Sequence, residues 1–95
     1  MDPVPLLIKV YDFTIMNCKK KDSVKASKGL VELMSALNFE IEEVSLGLFR
    51  LYQYCQDKIK QEEYDETIPI LEGLRDAWID SLKREKKRPA EQPQG

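Results

Sequence analysis

The chain has no histidine. That absence excludes Ser–His and Cys–His nucleophile pairs, most transition-metal sites and the E-x-x-H type of di-iron bundle. Only two cysteines are present, Cys18 and Cys55, and they lack metal-ligand spacing. Both fall on helical apolar stripes, which predicts small buried hydrophobes rather than a disulfide. No apolar run approaches the ~18 residues of a membrane span. No basic region precedes the first apolar run, as it would in a secretory signal, so a cytoplasmic protein with no membrane partner is expected. Carboxylates are plentiful, Glu40, Glu42, Glu43, Asp57 and Asp65 among them, but nothing in the sequence pairs them in a pocket. No enzymatic activity and no cofactor are therefore expected.

Charge is unevenly spread. Residues 1–82 carry ten basic and fifteen acidic groups, a net −5, whereas residues 83–88 carry +4. A basic run at a helix end suits the negative end of the helix dipole. The acidic body would repel phosphate, so no nucleic-acid partner is expected.

Ninety-five residues make one domain. Four amphipathic helices can be read within residues 1–87, followed by a tail, residues 88–95, whose composition predicts disorder. Asp2 caps the first helix, with Pro3 at its first position. Its core stripe is Val4, Leu7, Ile8, Tyr11, Ile15 and Cys18, and a second apolar line, Leu6, Val10 and Phe13, runs beside it. Lys19–Lys21 closes that helix, and Asp22 or Ser23 caps the next. The second stripe is Val24, Ser27, Leu30, Val31, Met34 and Leu37, weakened by Gly29 at about 1 kcal/mol relative to Ala. Asn38 is the expected cap of the third helix, with Glu40, Glu42 and Glu43 in its first turn. The third stripe is Ile41, Val44, Leu48, Leu51, Tyr52, Cys55 and Ile59. Glu62–Glu66 forms the next turn. Pro69 is expected in the first turn of the fourth helix, which begins near residues 65–67. The fourth stripe is Ile70, Leu71, Leu74, Trp78 and Leu82. Short links between such helices predict an all-α, antiparallel up-down-up-down four-helix bundle. That topology puts the first and third turns at one end, and Glu40, Glu42 and Glu43 opposite Lys83, Arg84 and Lys86 at the other.

Five short segments, in order, resemble the flagellin-export chaperone (FliS-like) family. Asp2-Pro3-Val4-Pro5-Leu6-Leu7 is similar to the family's S-P-x-x-L helix start. Tyr11-Asp12 sits where the family has L-Y-D-G. Glu32-Leu33-Met34-Ser35-Ala36-Leu37-Asn38 resembles E-L-M-S-S-L-D/N. Leu48, Leu51, Tyr52 and Tyr54 match L-x-x-L-Y-x-Y, and Leu74, Arg75, Ala77 and Trp78 match L-L-x-x-L-R-x-A-W. The chain departs from the family at Phe13, where a Gly is usual. It is shorter than typical members by about 14 residues between Tyr11 and Glu32 and by about 7 between Tyr52 and Trp78, in each case a whole number of heptads. An N-terminal segment that packs on the family's bundle has no counterpart before Asp2, so the groove beneath it is expected to be open.

The resemblance implies a chaperone that binds the C-terminal helical segment of flagellin, blocks premature polymerisation and delivers its client to export-apparatus components. Helix-in-groove burial and folding of a disordered tail would supply the affinity. The expected partner-binding residues are Leu6, Val10, Phe13, Leu46, Phe49, Tyr54 and Arg75, while Tyr52 and Trp78 are expected in the core. Arg75 also suits an ion pair between helices. The alternatives are a homo-oligomeric helical adaptor, such as a homodimer using the same apolar lines, and a diverged paralogue serving another export client.

Overall fold

A computed structural model describes the backbone of residues 3–91 and the side chains of residues 3–84. Among these residues it contains four helices and no strand: α1 (Val4–Lys19), α2 (Ser23–Ser35), α3 (Glu42–Lys60) and α4 (Tyr64–Glu91). The all-α four-helix expectation holds. α1 packs on α2 and α4, and α3 closes the ring against the same two helices. Cross-helix pairs fix the register. Lys21 meets Tyr64 and Asp12 meets Arg75 between α1 and α4. Ser27 meets Gln56 between α2 and α3, and Tyr54 meets Glu66 between α3 and α4. Along α1 and α4 the two pairs run in opposite order, so numbers fall along one as they rise along the other. No helix is long and apolar enough to cross a membrane.

The helix ends follow local chemistry. The Asp22 carboxylate accepts from the Lys25 N–H at 3.1 Å and caps α2 as expected. α1 and α3 end in the same way. The Asp22 N–H bonds the Asn17 carbonyl and the Lys21 N–H that of Cys18; Glu63 and Glu62 do the same to Lys58 and Ile59. These are two Schellman motifs, and each places a non-glycine residue, Lys21 or Glu62, at φ 60°. α1 begins at Val4 with Pro3 as its cap residue and no side-chain cap, and Asp2 lies outside the described residues.

Three boundaries differ from expectation. Asn38 does not cap α3, whose cap residue is Ile41. Its side chain accepts from the Glu40 N–H and its carbonyl from the Ser45 hydroxyl, so it turns the connection instead. α4 starts at Tyr64, which is buried and anchored by its hydroxyl to the Lys21 carbonyl at 3.4 Å. Pro69 therefore sits past the first turn, and the Asp65 carbonyl loses its helical donor. α4 also continues to Glu91, past Pro89 and beyond the expected boundary at Lys87. Residues 92–95, the rest of the expected tail, lie outside the described residues.

The core comprises Tyr11, Ile15 and Cys18 of α1; Ala26, Leu30 and Leu33 of α2; Tyr52, Cys55 and Ile59 of α3; and Tyr64 and Leu71 of α4. α2 is rotated from its expected phase. Val24 (76% exposed) and Val31 face solvent, and Ala26, Gly29 and Leu33 face inward. Gly29 lets α1 approach closely: a Cβ there would lie 2.0 Å from Thr14 Oγ1. Thr14 and Asn17, buried on α1, each bond the carbonyl four residues earlier, Val10 and Phe13 respectively, at 2.8 Å. That local bonding satisfies them without a partner from another helix.

Candidate functional site

One end of the bundle is open. Between the start of α1, the end of α2 and the start of α3 lies a groove of about 400 Å³. Pro3, Val4, Leu6, Leu7 and Val10 form its α1 wall. Leu33, Ala36 and Leu37 form the α2 wall, with Glu32 at the edge, and Ile41, Val44 and Leu48 form the wall opposite α1. Tyr52 and Trp78 lie at its floor, where the groove meets the closed core. Leu6 (67% exposed), Ile41 (59%) and Val44 (58%) stand open at its rim. The surface is overwhelmingly apolar, and exposed apolar surface so grouped marks an interaction site.

The floor carries one polar feature. The Tyr11 and Tyr52 hydroxyls bond each other across the core, with their rings tilted 56° and centroids 6.4 Å apart. Burial raises both phenol pKa values; for Tyr52 the bond to Tyr11 adds to it, and for Tyr11 bonds to Tyr52 and Trp78 oppose it. Both phenols therefore stay protonated near neutrality.

The seven side chains expected to bind a partner do not form one site. Leu6 and Val10 line the groove. Phe13, on the same line of α1, is 38% exposed but lies beside Gly29 of α2 and does not line the groove. Leu46 is exposed on α3 outside it. Phe49 meets Phe39 edge-on, centroids 6.3 Å apart, and so ties the connection after α2 to α3. Tyr54 lies at the other end, donating to Glu66 at 2.8 Å with Lys58 over its ring. The bond to Glu66 raises the phenol pKa and lowers that of the carboxyl. Arg75 joins α4 to α1 through Asp12 at 3.0 Å and also reaches Asp76.

Ile41 and Val44 are exposed groove residues that periodicity placed in the core, whereas Trp78 packs against the core and also lines the groove. The stripe runs the whole length of α3, but its buried members, Tyr52, Cys55 and Ile59, all lie in the second half. Nor does Arg84 reach Glu40, Glu42 or Glu43; it pairs with Asp80 on its own helix at 3.4 Å. The lip of the groove is thus acidic, with no ion pair for Glu32, Glu40, Glu42 or Glu43 among the described residues.

No described group of three or more His, Cys, Asp or Glu side chains is placed to hold a metal ion. Cys18 and Cys55 are free and buried. Burial pushes the Cys18 thiol up to about 11 and the Cys55 thiol to about 12. Thiols so placed are poor nucleophiles at neutral pH. Comparison with protein-family models, with curated proteins and with solved structures returns no match.

Proposed function

We propose that this chain is a shortened flagellin-export chaperone of the FliS-like kind, acting in the cytoplasm. Its groove would receive an amphipathic helix from the C-terminal segment of flagellin. The observation that carries this reading is a convergence. The segments that resemble the family lie far apart in sequence, yet Leu6, Leu33, Leu37, Leu48, Tyr52 and Trp78, drawn from four of them, all line one groove. A helix laid there would bury apolar anchors at i, i+3 or i+4 and i+7 and cover the exposed Leu6, Ile41 and Val44. Such a client would be shielded from polymerising until the export apparatus takes it. No bond is made or broken, which accords with the inert thiols.

The test is titration of the purified protein with a synthetic flagellin C-terminal segment, followed by calorimetry and by solution mass. A one-to-one complex with newly formed helical signal is the expected result. A tight homodimer that ignores the segment would favour the adaptor alternative. Binding of a different export client, and not of flagellin, would make the chain a paralogue.

A further inference from the structure

The groove leaves Phe13 without a role, and the face that carries Phe13 has a chemistry of its own. Leu6, Lys9, Phe13, Met16 and Lys20 recur at three or four residues, so they share one side of α1. All five are exposed. The Phe13 ring rests against α2, since a Cβ on Gly29 would lie 3.3 Å from its Cδ2. Phe13 thus covers the seam between the two helices. Lys25, one turn before Gly29, and Lys28 stand exposed on the same stretch of α2.

Lys9, Lys20, Lys25 and Lys28 make no ion pair among the described residues. The acids around them are few or engaged. At the α4 edge Asp12 and Asp76 hold Arg75, and Glu72 holds Lys19. Asp22 caps α2, and Lys21 lies with the acidic turn Glu62–Glu66. Glu32, at the groove edge, is the one acid of α2 beside these lysines. α4 passes this part of α1 with residues 64–75, as the Lys21–Tyr64 and Asp12–Arg75 pairs show. Lys83 and Arg84 therefore adjoin the start of α1, away from Met16 and Lys20, and carry the same sign. The whole chain is divided in this way. Residues 3–38 carry six basic and three acidic groups, and residues 39–82 carry four basic and eleven acidic.

Positive charge without partners calls for an anionic surface. Shape narrows the choice. A docked helix needs a groove for its anchors, and Phe13 fills the seam where that groove would run. A bilayer needs only a broad face with apolar side chains set among long lysine stems, whose ammonium groups reach the phosphates. The acidic half of the chain would turn such a molecule so that α1 and α2 meet the lipid first.

We propose that the α1–α2 face docks this protein on the surface of an anionic lipid bilayer, with Phe13 and Met16 entering the headgroup boundary and Lys9, Lys20, Lys25 and Lys28 on the phosphates. The expectation of no membrane partner rested on the lack of a span and of a secretory signal, and neither bears on surface attachment. The docking is independent of the groove, which none of these six residues lines.

The experiment is co-sedimentation of the full-length chain with vesicles of phosphatidylglycerol and phosphatidylcholine, and with vesicles of phosphatidylcholine alone. Binding to the anionic vesicles only, released by high salt, is expected. Lys25→Glu/Lys28→Glu should weaken it at least about 20-fold, about 5-fold for each lysine lost. Arg50→Glu/Lys60→Glu changes the net charge equally at exposed positions on α3 and should bind as wild type does. Phe13→Asp should weaken binding about 5-fold or more. If that variant loses helical signal, the two charge variants decide, since their positions are exposed. No binding to anionic vesicles, equal binding to both kinds, or equal loss in the two charge variants overturns the proposal. Failure on vesicles together with capture of a synthetic Glu-flanked amphipathic helix, lost in Lys25→Glu/Lys28→Glu, also overturns it and assigns the face to an acidic protein. Titration with the flagellin segment should be unaffected by the lysine changes, so the groove stands or falls separately.

Discussion

Gly29 and Thr14 hold α1 and α2 at their closest approach: a methyl group on Gly29 would meet Thr14 Oγ1 at 2.0 Å and Thr14 Cβ at 3.0 Å. Thr14 cannot readily turn aside, because its hydroxyl is bound to the Val10 carbonyl and the residue is fully buried. Gly29→Ala gains about 1 kcal/mol of helix propensity. Overpacking a core costs about 1–3 kcal/mol. The expected result is a net loss of up to about 2 kcal/mol, lowering the melting temperature by up to about 16 °C in a domain of this size. A raised melting temperature would mean the helices part at little cost.

The same contact explains why the phase of α2 was not legible. Hydropathy ranks Val24 and Val31 above Ala26 and Gly29, yet the small residues are buried because they admit another helix. Close packing is a property of two helices and leaves no mark on the apolar pattern of one. The α1 stripe was readable at Tyr11, Ile15 and Cys18, where large side chains meet the core. It missed Thr14 and Asn17, whose polarity is satisfied within their own helix. The groove was half legible. Leu6 and Val10 stood out as a surplus apolar line, but periodicity cannot tell that Ile41 and Val44 face a gap, since that depends on how far α3 stands from α1.

Lys21 and Glu62 both adopt φ 60° at the same end of the bundle. Glycine usually fills this position, and an L-residue pays about 1–2 kcal/mol there. Glu62→Gly is expected to stabilise the protein by about 0.5–1 kcal/mol, the relief being partly offset by a more flexible unfolded chain. Urea unfolding at neutral pH reads the change directly. An unchanged or lower midpoint would show that the Glu62 side chain contributes more than its backbone costs.

Burial holds Cys18 at about 11 and Cys55 at about 12, above the ordinary 9.0. Tyr11 and Tyr52 are raised above 10.0, also by burial first. In all four the protonated form is favoured in the folded state. The associated stability is complete below the unfolded-state pKa values and is lost as pH climbs from about 9 through the folded values. Urea midpoints should therefore hold steady from about pH 7 to 8 and fall progressively between about 9 and 11. In the steady range a thiol reagent should modify Cys18 and Cys55 no faster than the protein opens. Fast labelling of the native state would contradict their burial.

Arg75 bridges α4 to Asp12 of α1, and both side chains keep access to water. Exposed ion pairs contribute about 0–1 kcal/mol. Arg75→Ala should cost no more than that, and its effect should shrink in high salt. Affinity for the flagellin segment should not change, because Arg75 does not line the groove. A loss of binding with intact stability would return Arg75 to the partner interface.

Leu6 and Val44 face the groove from opposite walls, and each is more than half exposed in the free protein. A charge placed at either position can stay hydrated while the groove is empty, so Leu6→Asp and Val44→Asp should leave helical content and melting temperature nearly unchanged. Filling the groove would strand that charge in an apolar contact and add to an acidic lip. Each substitution is expected to weaken binding of the flagellin segment by at least about 10-fold, the scale of losing one buried apolar anchor. Leu46→Asp supplies the matched control, since Leu46 is exposed on α3 but outside the groove. The pattern across the three variants is more decisive than any one of them. Weak binding by Leu6→Asp and Val44→Asp with normal binding by Leu46→Asp locates the client in the groove. The reverse pattern would move the interface to the outer face of α3, where Leu46 stands, and would leave the open end of the bundle without its proposed occupant.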